Sequence, residues 1–353
     1  MEVFDLDFHQ SKKCDRNWGN ELIGRNLHRR NPEAVSTRML ETLLSYLGHS
    51  SENEIYGNRR IFCEYAGVDS NSLIFGRIQH GWVSSNIQRT LIKNDLVETF
   101  VWSQESRNHC VALGLKRVTP IGSPWLYMLE ITKRLGWSIS KSNSSERKID
   151  ELWIYGAHST EIQTGDLDSQ LLNFLEAAND SVGKTTYVML FYVDFFLTEE
   201  YVKRNYPNLK VFTSLGGRLH SSSADSHLFN LFWIFNNSKT VVLDVPTTAL
   251  LYAITMGCNV SWHKNKNYDS VLRDCIKRHD SNLISLLTIT GETNQLMIDI
   301  ANHELGLESL KSPQEIKALF RWKSDANFSL FKYFITLKYL ITLPHKLGSL
   351  RGK

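Results

Sequence analysis

The chain has 353 residues, 42% of them hydrophobic and 22% charged, with a formal net charge of +3. That length exceeds one usual core and predicts two domains of roughly 150 residues each. The small net charge, with no basic stripe interleaved with aromatics, argues against nucleic-acid binding, and no acidic or Pro/Gly-rich run is long enough to be disordered. The five cysteines (Cys14, Cys63, Cys110, Cys258, Cys275) are scattered and include no C-x-x-C pair. They suggest neither a disulfide framework nor a zinc site and fit a reducing cytoplasm. The opening residues carry acids where a signal peptide needs bases, and no segment reaches the ~18 apolar residues of a spanning helix.

In chain order, residues 1–50 read as helical and polar. Arg25, Arg29, Arg30 and Arg38 bracket the amphipathic run Met39 to Leu47, which Gly48 stops. Strand-like pieces follow at 61–65, 73–81, 97–102 and 112–115, separated by turn residues or helix, in the rhythm of an α/β domain. Gly122-Ser-Pro-Trp-Leu-Tyr127 reads as a strand-to-helix turn with Pro124 at the first helical position. The Ser/Asn/Lys-rich stretch 136–150 is expected to hold an interdomain linker, bounded at 139–150. A second series then alternates: strand 152–155, helix near 166–178, strand 187–192, helix near 198–205, strand 209–212 and helix near 224–236. This pattern implies a mostly parallel sheet with crossover helices. Gly183-Lys184-Thr185-Thr186 resembles the end of a P-loop, but Ala178 stands where that motif needs its first glycine and the residues precede a strand. It is expected to be a turn. The segment from Phe328 onward is apolar, is dotted with Lys332, Lys338 and Lys346, and ends in a basic tail. It is expected either to pack as a helix across both domains or to lie at a membrane interface. The domains therefore read 1–138, linker 139–150, 151–325, and a C-terminal segment 326–353.

The densest candidate lies at 240–262, which reads as strand, hydroxyl-bearing turn, short helix, glycine, strand. Thr247 and Thr248 stand at the helix start, where free backbone N–H groups and the helix dipole favour an anion; a plain N-cap is the other reading. His158, followed by Ser159, comes directly after an apolar strand and faces the same predicted sheet edge as Thr247. The turn 213–220 follows another strand and carries Ser214, Gly216, Gly217, Arg218 and His220: its glycines allow close backbone approach and its cations suit phosphate. In the first half, His80 is expected at a strand end as a general base or a sugar or phosphate contact, and Glu64, at the end of the preceding strand, as its partner or as the base itself.

Four elements, Gln79-His80-Gly81-Trp82, Gly122 to Tyr127, Gly156-Ala-His158-Ser159, and Pro246-Thr247-Thr248 through Ala253 before Gly257, resemble in order the bacterial glycosyltransferases of capsule and lipopolysaccharide assembly. The similarity is to the two-Rossmann-domain GT-B architecture, particularly its sialyl- and Kdo-transferase-like polysaccharide families. The resemblance implies two Rossmann-like domains facing a cleft, with Thr247, Thr248 and His158 on the donor's phosphate. It implies a nucleotide-sugar co-substrate and no other cofactor. A CMP-linked donor would follow the pattern, from which Pro246 and Ser159 depart. The acceptor would be an oligosaccharide or lipid-linked chain at the inner face of the cytoplasmic membrane, and the sugar would transfer without a metal. His80 would be the first choice of base and Glu64 the second, with Asp225 or Asp244 as nucleophile in a retaining reaction. Two other readings share the shape: a non-catalytic nucleotide- or sugar-binding protein, and a nucleotide-sugar epimerase.

Overall fold

The computed structural model describes residues 53, 56–70, 72–82, 98–140, 146–156, 169–181, 183–190, 192–212, 227–264, 268–269, 272–273, 281–288 and 291–322. Over these residues the chain is α/β with two parallel sheets. The first sheet is built from β1 (Arg77–Ile78), β2 (Thr99–Val101) and β3 (Val118–Pro120), in the order β1-β2-β3. Helix α1 (Asn58–Ala66) precedes it, α2 (Gln104–Ala112) crosses from β2 to β3, and α3 (Pro124–Arg134) follows. Pro124 does open α3, as the sequence suggests. In α2 the Ser103 hydroxyl caps the helix by accepting from Ser106 N at 3.1 Å.

The second sheet contains β4 (Ile149–Ile154), β5 (Thr186–Met189), β6 (Lys210–Phe212), β7 (Ser238–Leu243) and β8 (Asn259–Trp262). Its spatial order is β6-β5-β4-β7-β8, every neighbouring pair parallel. The helices between these strands are α4 (Ser169–Asn179), α5 (Tyr192–Asn205), α6 (His227–Asn237) and α7 (Thr248–Thr255). Numbered within the sheet this order is 3-2-1-4-5, that of a Rossmann-like half, and it places the point where the winding reverses between β4 and β7. Three more helices, α8 (Ser281–Thr288), α9 (Gln295–Leu305) and α10 (Pro313–Leu319), lead away from β8. The turn at Gly183 and Lys184 precedes β5, as expected of a sequence that only looks like a P-loop.

Alternation along the strands covers the larger sheet on both faces. Leu152, Ile154, Met189, Val241 and Leu243 point into the main core with α6 and α7, whereas Trp153, Tyr155, Val188, Leu190 and Val242 pack with Phe174 and Leu175 of α4 on the other side. The main core also contains Ile61, Phe62, Phe100 and Trp125, so the two sheets share it. One junction between them is Trp125 of α3 on Tyr252 of α7, rings stacked at 4.2 Å and 13°, with Trp125 Nε1 donating to Thr255 Oγ1 at 2.9 Å.

Two expected strands are not strands. Residues 61–65 belong to α1: Ile61, Phe62, Tyr65 and Ala66 are buried, a spacing that makes one face of a helix, and a short apolar run carries too little periodicity to separate the two states. Residues 112–115 are the end of α2 and its turn, closed by Leu115 N donating to Cys110 O. The polar stretch read as linker also changes character. β4 begins inside it at Ile149, Ser140 N donates to Asn236 Oδ1 at 2.8 Å, and Arg147 is buried at 1% exposure. Arg147 donates to Phe235 O and Ser238 O at the end of α6 and to Met256 O, at 2.6 Å, past the end of α7. Its partners are carbonyls at the negative ends of two helices, where a cation is favoured. Cys258 sits in the same knot, its thiol donating to Phe235 O, and burial pushes it up to about 11. The N-terminal run 39–47 and the C-terminal segment 326–353 lie outside the described residues. Among those residues, no helix is long and apolar enough to cross a membrane.

Replacing Arg147 with Met leaves buried helix-end carbonyls without donors. Urea denaturation is expected to show a loss of more than about 3 kcal/mol, with Arg147→Lys intermediate. An unchanged midpoint in Arg147→Met would remove the arginine from this role. His263, just past β8, packs its ring against Trp153 and Phe174 at 5.8 and 5.4 Å, and burial holds its pKa below the ordinary value. The unfolded chain therefore binds that proton more readily. The stability from a neutral His263 is complete above about pH 6.5 and is lost as pH falls from there toward the lower folded pKa. Against wild type, His263→Phe should flatten the stability curve between about pH 5 and 7.

Candidate functional site

The carboxyl ends of strands from both sheets open on one cavity of about 320 Å³. From the larger sheet come Ile154, Tyr155 and Gly156 at the end of β4, Met189 and Leu190 at the end of β5, and Thr247 and Thr248 after β7. Their position at the reversal between β4 and β7 is where open parallel sheets take ligands. From the smaller sheet come His80, Gly81 and Trp82 after β1 and Trp102 after β2. Among the described residues the lining has no carboxylate, lysine or arginine.

Gln79, only 2% exposed, shapes the turn after β1. Its Oε1 accepts from Trp102 N at 2.9 Å and its Nε2 donates to Gly81 O at 3.1 Å, while Gly81 turns the chain with φ at 78°. That turn is latched onto the second sheet's helices. Trp82 N donates to Thr248 Oγ1 at 2.7 Å, and Trp82 Nε1 donates to Glu304 Oε2 of α9 at 2.9 Å. Glu304 is held in turn by Asn282 Nδ2 at 3.0 Å.

His80 stacks on Tyr56 at 4.9 Å and 7°, and His227 stacks on the same ring at 4.8 Å and 29°. The three rings join the end of β1 to the start of α6 along the cavity wall. Tyr56 has φ at 60°, a left-handed backbone that costs a non-glycine residue about 1–3 kcal/mol and that concentrates at functional sites. Tyr252 lines the cavity floor, and burial raises its phenol far above the usual range, so it stays protonated.

Three helices begin at this cavity: Asn58, His227 and Thr248, the first residues of α1, α6 and α7, all line it. Neither α1 nor α7 has a side-chain cap. Thr247 occupies the N-cap position of α7 with extended backbone, yet its hydroxyl makes no capping bond; Oγ1 is buried without a partner among the described residues. Thr247 is thus the N-cap of α7 by position and backbone, without the side-chain bond that a capping threonine makes. The starts of α1 and α7, without side-chain caps, and the start of α6 lie at one cavity, and the positive dipole ends of helices favour an anion.

Gly156 is fitted closely between the two strand ends. Its N–H donates to Asp244 Oδ1 at 2.7 Å, and a Cβ there would stand 2.4 Å from Thr247 Cγ2 and 2.8 Å from Val245 Cγ2. Asp244, fully buried, binds backbone behind the cavity and does not line it, which speaks against a nucleophile role. Glu64 is exposed on α1 and also lies outside the lining; the strand expected to aim it at the site is a helix. His158, Ser159, Ser214, Gly216, Gly217, Arg218, His220 and Asp225 lie outside the described residues. The structure thus brings His80, Thr247 and Thr248 together. To them it adds Tyr56, Asn58, Trp102 and His227, which sequence reasoning left unassigned. Trp102 closes a strand read correctly from the sequence, so its place at a carboxyl end was the available signal. Among the described residues no group of three or more His, Cys, Asp or Glu is placed to hold a metal.

Gly156→Ala forces its methyl into Thr247. Denaturation should register a loss of about 1–3 kcal/mol, and Thr247 should shift into the cavity in a crystal structure of the variant. Wild-type stability would mean that the strand ends are looser than described. No protein-family model matches the sequence, and no curated protein does; the functional reading rests on the geometry of the cavity.

Proposed function

We propose that the chain is a glycosyltransferase of GT-B organisation that binds a nucleotide-sugar donor in this cavity. The observation that carries the reading is the convergence of three helix starts on a cavity at the winding reversal of a Rossmann-order sheet, whose described lining includes two histidines and two threonines and no carboxylate. Such a site stabilises negative charge on a departing phosphate without any reorganisation at the moment of reaction. The second support is that residues of both sheets line one cavity, as a donor half and an acceptor half must.

The donor's phosphates lie against the starts of α1, α6 and α7. Thr248 Oγ1 already accepts from Trp82 N, which leaves its own proton to donate to a phosphate oxygen. His80, as a neutral imidazole, takes the proton of an acceptor hydroxyl. The acceptor oxygen bonds to the anomeric carbon as that carbon's bond to the phosphate oxygen breaks, and the electron pair leaves with the nucleotide. Both the donor's nucleotide and its sugar, and a polysaccharide or lipid-linked acceptor at the inner membrane face, belong to the same proposal.

The test is incubation with CMP-, UDP-, GDP- and dTDP-sugars, each with and without surface-polysaccharide fragments, following nucleotide release. Release of one nucleotide that rises with acceptor is expected. His80→Ala should retain affinity for that donor while turnover drops by about 10²–10⁴. Tight binding of a nucleotide sugar that is recovered unchanged would make this a binding protein, and conversion of the donor into another nucleotide sugar, with no nucleotide released and no acceptor present, would favour an epimerase.

A further inference from the structure

Two residues that line the cavity from opposite sheets each carry a buried polar atom with no hydrogen-bond partner among the described residues. Trp102, at the end of β2, is 1% exposed and lines the cavity; its indole Nε1, the side chain's one polar atom, is buried with no partner among the described residues. Thr247, at the start of α7, lines the same cavity with a buried and equally unpartnered Oγ1. A buried donor left unpaired costs the folded protein free energy, so native chains rarely keep one where no acceptor arrives. Neither atom is left so by a loose surrounding. Trp102 N is held by Gln79, Gln79 holds Gly81, the next residue's N–H is held by Thr248, and Gly306 approaches so closely that a Cβ there would stand 1.9 Å from Trp102 O.

We propose that Trp102 Nε1 and Thr247 Oγ1 are a two-sided clamp for a phosphoryl group of the ligand, one donor from each sheet. An indole N–H only donates, so its partner must be an acceptor, and the uncapped helix starts beside it select an acceptor with negative charge. The clamp also explains a cavity shared between sheets: the phosphoryl group is the piece of ligand that both must touch. This inference rests on the reading of the cavity as an anion site, and it assigns to the reaction a residue, Trp102, on the acceptor half.

The probe is inorganic pyrophosphate, bound to the full chain and measured by calorimetry, with the melting temperature of the ligand-free protein as a second readout. Thr247→Val keeps the side chain's shape and removes only the hydroxyl. It should raise the ligand-free melting temperature by about 1–3 °C and weaken pyrophosphate at least about tenfold. Trp102→Phe, which removes the N–H, should weaken pyrophosphate by a similar factor. A merely structural hydroxyl predicts the opposite thermal shift, so a lower melting temperature for Thr247→Val overturns the clamp. Wild-type pyrophosphate affinity in either variant, or no pyrophosphate binding by the wild-type chain, overturns it too. Pyrophosphate binding lost in both variants, in a protein that turns over no nucleotide sugar, would uphold the clamp and sink the glycosyltransferase reading instead.

Discussion

A single buried cation organises the ends of the helices that make the cavity. Arg147 donates to carbonyls at the end of α6 and just past α7, and both helices begin at the cavity. A guanidinium at the negative ends compensates those dipoles inside the core, while the positive ends face a space that a ligand's negative charge can fill. Because Arg147 sits two residues before β4, the same bonds set where that central strand enters the sheet, and hence where Ile154 to Gly156 emerge beside Thr247. The anchor and the site are opposite ends of the same elements.

The second constraint is the coupling between the sheets. The turn 79–82 is shaped from within by Gln79 and held from without by Thr248 and Glu304, so its histidine has a defined position relative to the start of α7. The stacked Trp125 and Tyr252 support this from the core side. A site assembled in this way has its main-chain donors placed before ligand arrives, which limits the ordering cost of binding. The hydroxyl of Thr248 accepts from the turn, which leaves its own proton for donation.

How far the sequence could be read depended on the range of the signal. In the second half the apolar runs near 152–155, 187–192, 209–212 and 241–243 alternate with helical stretches. Each run corresponds to a strand of one parallel sheet, because period-2 and period-3.6 patterns and their glycine and proline boundaries are local properties. The placement of Thr247 and Thr248 at a strand end followed from the same patterns. In the first half the runs are short, and Ile61 to Tyr65 were misread because a run of five residues, four of them apolar or aromatic, fits a helix face as well as a buried strand. Glu64 lost its place at the site for that reason alone. Arg147, inside a Ser/Asn/Lys-rich stretch, looked like part of a solvated linker, since composition does not reveal that helix-end carbonyls will surround it.

What the sequence determined by itself was the class of fold, the alternation of strands and helices along the second half of the chain, and the presence of hydroxyls at the start of α7 and of a histidine after β1. These depend on neighbours a few residues away. Tertiary structure decided that the histidine and the hydroxyls share a cavity, that Tyr56, Trp102 and His227 join them, and that Thr247 keeps its hydroxyl uncommitted. The contact that unites the two groups spans 166 residues, from Trp82 N to Thr248 Oγ1. Such a contact is set by the packing of one sheet's helices against the other's, which leaves no local period to read.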